Sequence, residues 1–410
     1  MIATAEFIAS REVGLARLAA FTPIAGQHYS SARNYDRGPG QHNSVSQLSP
    51  YLRRRLVTEE EAVMAAVRGH GLAGAEKFNQ EVFWRTYFKG WLEQRPVIWD
   101  LYRDGLQADL DRLENDRDFR KRLDRALAGE TRIECFDFWV KELLETGYLH
   151  NHARMWFASI WIFTLELPWR LGADFFLRNL IDGDPASNTL SWRWIAGLHT
   201  RGKTYQAEAW NIAKFTDQRF IPVEGKLSPV ADALVNEEPN GLPPIAAIRK
   251  PVLPDQHFST GLLITEEECR IEALPLSDFN IKTVATLGAS HLRSTLPVNT
   301  IVRGFELAAL ADTVERLGCS AQELIANDPK VLLNWAKEAN VSQILTGYIP
   351  VGPLRDWMKL AQSHLDAEGV SLCEWQREWD ALIWPYATAG FFKVKKQIPR
   401  ILQQLGMPDC

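Results

Sequence analysis

The chain has 410 residues, of which 46% are hydrophobic, and a formal net charge of −5. That length and composition favour two domains with sizeable cores and exclude a disordered chain. No apolar run approaches the ~20 residues that span a membrane, and the acidic excess sits in the second half, so any nucleic-acid contact must come from a local basic patch in the near-neutral first half.

In chain order, residues 3–25 read as a helix with Leu15, Leu18, Ala19 and Phe21 on one face. A Gly- and Ser-rich loop follows, where Ser46, Ser49 and Pro50 give helix-start signals. Such a loop is a surface turn or a phosphate-binding site. Residues 76–94 form a helix that sets Glu81, Trp84 and Arg85 at i, i+3 and i+4, either as a plain surface Glu–Arg pair or as a binding face. Residues 100–130 are a charged, solvated helical stretch.

Residues 145–197 carry the densest signal. Asn151, Arg154 and Met155 share one helical face. Asp182-Gly183-Asp184-Pro185 then breaks the pattern and offers N-cap groups to a second helix, on which Asn188 and Trp192 are four apart. A polar corner among Trp169, Trp192 and Trp194 costs free energy unless its groups are paired, and a polar, planar, aromatic ligand would pair them. Residues 221–258 are Pro-rich, a linker or an extended wrap. Beyond them, strands at 261–265, 282–288 and 342–349 alternate with helices at 301–318 and 353–369, the pattern of an α/β unit with a parallel sheet. No Gly-rich nucleotide fingerprint is present there. The cysteines (Cys135, Cys269, Cys319, Cys373, Cys410) form no C-x-x-C, which favours neither a metal site nor a disulfide frame. With no secretory signal in MIATAEFIASREVG, the expected location is cytoplasmic.

TGYLHNHARM (146–155), PWRLG (168–172), DGDPASN (182–188) and WRW (192–194) together resemble the flavin-binding helical domain of the photolyase/cryptochrome family, and the likeness runs from Tyr29 to about Phe220. The resemblance implies a mainly α fold: a helical FAD-binding domain over 1–220, a Pro-rich linker over 221–258 and a smaller α/β domain over 259–410. The family's α/β antenna domain normally precedes the helical one; here GLLITEEE (261–268) resembles its opening strands but follows, and the antenna chromophore is left open. For FAD, the resemblance implies Tyr29, the phosphate loop Val45, Ser46, Gln47, Leu48 and Ser49 (with Val45 in place of the usual Thr), Arg85, Arg154, Asp182, Gly183, Asp184, and Asn188 opposite flavin N5. For a cyclobutane pyrimidine dimer in UV-damaged DNA it implies Glu81, Trp84, Asn151, Met155 and Trp194, with Arg33 on the DNA. The related (6-4) enzymes use a histidine pair in this region; Asn151 before His152 matches the cyclobutane pattern better. An electron relay would start at Trp192 and pass to Trp169; the family's outermost Trp falls near Ala126, leaving Trp139, Trp156 or Trp161 as substitutes. The implied function is light-driven dimer splitting. The alternatives are a cryptochrome-like photoreceptor that signals through a protein partner, and a flavin-free helical binding protein. Because every matched flavin residue lies between Tyr29 and Trp194, the α/β unit is expected to be dispensable for flavin binding.

Overall fold

The computed structural model describes residues 7–223 and 225–407; Cys410 and residues 3–6 of the first expected helix lie outside them. Before residue 259 the described chain is helical or irregular. The first helix is Arg11–Phe21, capped by Ser10, whose hydroxyl accepts from the Val13 amide. Thr58 opens the Glu59–Gly74 helix with a reciprocal capping box to Glu61, satisfying two otherwise orphaned amides. The charged stretch forms the helices Val97–Asn115 and Arg117–Ala128. No described helix is long and apolar enough to cross a membrane.

The second half builds a five-stranded parallel sheet: β1 Ser259–Thr265, β2 Asn280–Gly288, β3 Gln322–Ile325, β4 Gln343–Gly347 and β5 Ser371–Trp375, in the order β3-β2-β1-β4-β5. The short strands β3 and β5 at its two edges escape the sequence pattern. Side chains on β1 alternate between faces. Leu263 joins a core with Leu287, Trp335, Ile344 and Met358 on one face. Leu262 and Ile264 point the other way and join the large core that runs through the helical half. The sheet therefore shares a core with the helices.

The Glu76–Glu93 helix is the hinge of this packing. Phe83 packs on Trp379 with ring centroids 4.8 Å apart, and the Trp379 indole donates to Thr86. Glu93 accepts from the Tyr348 hydroxyl and the Val351 amide, each at 2.6 Å. Between them Gly90 lets the Trp384 ring approach so closely that a Cβ there would lie 2.6 Å from Cδ1. The Pro-rich segment acts as a wrap: Glu237 binds Trp169 and Arg170, Ala246 donates to the Gln94 carbonyl, and Arg249 pairs with Glu374 of β5. Gly90→Ala should overpack this contact and cost about 1–3 kcal/mol; a thermal unfolding midpoint equal to that of the parent chain would refute the tight seat of Trp384.

Candidate functional site

A cavity of about 630 Å³ opens in the helical half. This lies within the range of about 300–1,000 Å³ usual for cofactor and small-molecule sites. Four helices supply most of its wall. Glu81, Trp84, Arg85 and Phe88 come from Glu76–Glu93; Asn151, Arg154, Met155 and Ala158 from Asn151–Ser159; Phe176 from Trp169–Asn179; and Ser187, Asn188, Ser191, Trp192 and Trp194 from Pro185–Ile195. The turn Asp182-Gly183-Asp184 completes the lining, with Tyr29, Arg33, Val45 and Ser49. Helical spacing of three and four brings each set to one face, as the sequence implies.

Two carboxylates define the polar side. Arg154 donates to Asp182 Oδ2 at 2.8 Å, and its guanidinium lies over the Tyr148 ring. Asp184 caps the Pro185–Ile195 helix through Oδ1, which accepts from the Ser187 amide at 2.8 Å. Its Oδ2 faces Lys89 at 3.4 Å, Arg85 at 3.6 Å and Arg53 at 3.8 Å. Burial alone would raise this carboxyl's pKa, but Lys89, Arg85 and Arg53 hold it well below the usual carboxylate range.

The buried oxygens Asp182 Oδ1, Asp184 Oδ2 and Ser187 Oγ, and the Trp192 indole N–H, have no hydrogen-bond partner among the described residues. Beside this cavity Asp182 Oδ1, Ser187 Oγ and the Trp192 N–H are available to a ligand that supplies donors and an acceptor, whereas Asp184 Oδ2 already faces three cations. Asn188 donates from Nδ2 to the Ala173 carbonyl at 2.8 Å. That bond fixes the amide orientation and leaves Oδ1 as the acceptor for a ligand N–H.

The opposite wall is apolar with one carboxyl. Trp84 stacks on Phe391 at 4.2 Å and 15°, a neighbour contributed from far along the chain, and Trp194 packs on Tyr205 at 5.8 Å. Glu81 pairs with Arg33 across the cavity edge. Burial raises the Glu81 pKa, with Arg33 opposing the shift. The surface Glu81–Arg85 pair considered on spacing does not form, because Arg85 turns to Glu59 and to the Arg53 carbonyl, both at 3.0 Å.

Some expected residues stand elsewhere. In the proposed phosphate loop only Val45 and Ser49 line the cavity. Leu48 is fully buried in the core, the Ser46 hydroxyl accepts from the Leu48 amide, and Gln47 takes a left-handed φ of 51° beside His42. Trp192 packs edge-to-face on Trp161 at 6.3 Å, whereas Trp169 packs on Tyr102 at 5.8 Å. Trp161 lies in a π-helical turn, Ile160–Thr164. The residues missed are Lys89 and Arg53, which face Asp184, and His199 in the lining, whose pKa burial lowers to about 3. Lys89 was findable: it continues the i, i+4 face of Glu81 and Arg85 by one more turn.

The family model described as the FAD binding domain of DNA photolyase matches residues 78–220. A deoxyribodipyrimidine photo-lyase of Streptomyces griseus is 36% identical over 162 residues, 38% of this chain and 33% of that protein. Its counterpart in one strain of Thermus thermophilus is 32% identical over 200 residues, 47% of this chain and 44% of that protein. The chain thus spans between a third and a half of the length of these relatives. A bacterial class III photolyase of known structure from Agrobacterium tumefaciens is 25% identical, covering 51% of this chain and 43% of that one with a TM-score of 0.41. Residues 78–220, whose helices line most of a cavity of suitable size, include a photolyase-type FAD-binding domain.

Proposed function

We propose that this chain is a light-driven DNA repair enzyme that splits cyclobutane pyrimidine dimers in UV-damaged DNA. One observation carries the reading: Glu81, Trp84, Asn151, Met155 and Trp194 line the same cavity as Arg154, Asp182, Asp184 and Asn188. The residues proposed for the substrate and those proposed for the cofactor thus line one open cavity. The FAD-binding unit is 1–220, with 221–258 as a wrap and 259–410 as an antenna-like α/β unit placed after it.

Fully reduced FAD, when bound, supplies the photo-excited electron that the dimer accepts and returns. The chain's own residues do the rest. Arg154 and Asp182 would form the polar edge that orients the ring, and Asp184 would accept from its pyrimidine side. Asn188 would offer a neutral acceptor to the ring's N5, a choice that would favour the protonated, reduced form. Tyr29 and Ser49 would serve the phosphates, and Arg85 would add positive charge. A lesion unpairs more cheaply than normal bases, and Trp84, Trp194 and Met155 give the extruded dimer apolar walls that exclude water. Asn151 donates to its carbonyl edge, while Arg33 meets the DNA backbone and, by pairing with Glu81, sets that carboxyl's protonation.

Glu81, protonated when the lesion displaces Arg33, would donate to a carbonyl oxygen that gains negative charge in the splitting step. A bond that tightens in this way accelerates the reaction. Glu81→Ala should lower dimer splitting per absorbed photon on the order of a hundredfold, Glu81→Gln should lower it less, and both should purify with flavin. Parental yield in Glu81→Ala moves the protein to the second reading, a cryptochrome-like photoreceptor. The specific observation favouring that reading is that Glu81 is already engaged by Arg33.

For photoreduction we propose Trp192 as the first electron donor, with Trp161 and Trp169 as the candidate second members. The direct packing of Trp161 on Trp192 supports it as the better partner. Under blue light with an external thiol, Trp192→Phe should suppress flavin reduction and Trp161→Phe should slow it more than Trp169→Phe; unchanged rates in all three would remove the relay.

A further inference from the structure

Three consecutive arginines, Arg53, Arg54 and Arg55, are buried against three consecutive glutamates, Glu266, Glu267 and Glu268. The glutamates sit just past the carboxyl end of β1, the central strand. In a sheet of order 3-2-1-4-5 the chain switches direction between β1 and β4, and the crevice outside those strand ends is where doubly wound folds take their ligand. Here part of the helical half occupies it. Arg55 enters between Glu268, at 3.3 Å, and Asp380, at 2.5 Å. Gly347, at the end of β4, has no Cβ to collide with the Glu268 side chain.

The neighbouring pairs lead to the flavin cavity. Glu267 binds Arg53 at 2.7 Å through one oxygen and Lys89 at 3.0 Å through the other. Both cations also face Asp184. Glu266 pairs with Arg54 at 3.2 Å and with Arg293 at 2.9 Å. These arginines then hold the backbone of the turn itself. Arg53 donates to the Gly183 carbonyl at 3.0 Å, Arg54 to Ile181 at 2.7 Å, and Arg293 to Leu180 at 3.1 Å. Every one of these carbonyls belongs to the segment that presents Asp182 and Asp184 to the cavity.

We infer that Glu266 and Glu267 of the α/β unit are positioning residues for the flavin site: through Arg53, Arg54, Arg293 and Lys89 they fix the Asp182-Gly183-Asp184 turn. This rests on the proposed reading of the cavity as the flavin site and assigns the α/β unit a part in it. On this inference the unit is not dispensable for flavin binding, the opposite of the expectation from sequence. The crevice of the sheet serves as a socket for the helical half.

The test compares two variants of the full chain, Glu267→Gln and Glu268→Gln. Each removes one buried carboxylate from the same loop, and Glu268 serves Arg55 and Arg377, away from the turn. Glu267→Gln should weaken FAD binding on the order of tenfold, a usual size for coupling between sites, and shift the flavin reduction potential. In the FAD-free protein it should speed amide hydrogen exchange over 181–188. Glu268→Gln should leave these three readouts near parental even where its unfolding midpoint falls equally, and Glu267→Asp, which keeps the charge, should restore part of the loss. Equal changes in the two Gln variants, or no change in Glu267→Gln, overturn the inference. If Glu267→Gln does not fold, Glu267→Asp against Glu268→Asp decides by the same readouts. A parental chain that binds no FAD defeats the reading of the cavity instead, and the exchange comparison on the FAD-free protein still decides the positioning role.

Discussion

The packing of Arg53, Arg54 and Arg55 against Glu266, Glu267 and Glu268 is the constraint on which the rest of the molecule depends. Buried charges are tolerated only when each has a partner of opposite sign. The six side chains meet this condition jointly with Asp184, Lys89, Arg293, Asp380, Glu59 and Arg377. Burial would push the Glu266 and Glu267 carboxyls up, yet the surrounding cations bring both below the ordinary value, Glu266 to about 2. Both halves of the chain must therefore dock before either charge triplet is satisfied.

The cavity follows from that docking. The Glu76–Glu93 helix carries Glu81, Trp84, Arg85 and Phe88 towards the cavity while Phe83, Thr86 and Gly90 face the second half. Lys89 stands at the boundary, with Glu267 on one side and Asp184 on the other. Even the Trp84 wall is backed by Phe391. The helices that line the cavity are thus local in sequence, but they pack against residues of the second half from Glu267 to Phe391.

This separation explains what could be read in advance. The Asn151–Met155 face, the Asp184 cap and the Asn188–Trp192 pair depend on spacings of three and four residues, and the structure keeps them all in one cavity. The strands at 261–265, 282–288 and 342–349 were legible because β-branched and apolar runs mark them. β3 and β5 were not: at the sheet edges they are short, and β3 is largely exposed. The Arg and Glu triplets resemble solvated surface charge when each is read alone. Their pairing spans more than two hundred residues, and only the chain's path brings them together. Glu81 lines the cavity, and its partner is Arg33, at the end of the Gln27–Ala32 helix, not Arg85 four residues on.

A buried ion network is a poor source of net stability compared with an apolar interface, since desolvation offsets most of the Coulomb gain. Its advantage is register. An apolar contact slides by a few tenths of an ångström at little cost, whereas displacing Glu267 from Arg53 and Lys89 leaves charges unpaired in a low dielectric. On the proposed reading Asp182 and Asp184 face a planar ligand, a role that needs a turn held in fixed register. The chain meets it by donating from arginine side chains to the carbonyls of Leu180, Ile181 and Gly183, so that the same guanidinium groups fix the turn and join the two halves. Placing the α/β unit after the helical one is compatible with this arrangement because the coupling is made in space, at the end of β1, and does not depend on which unit comes first along the chain.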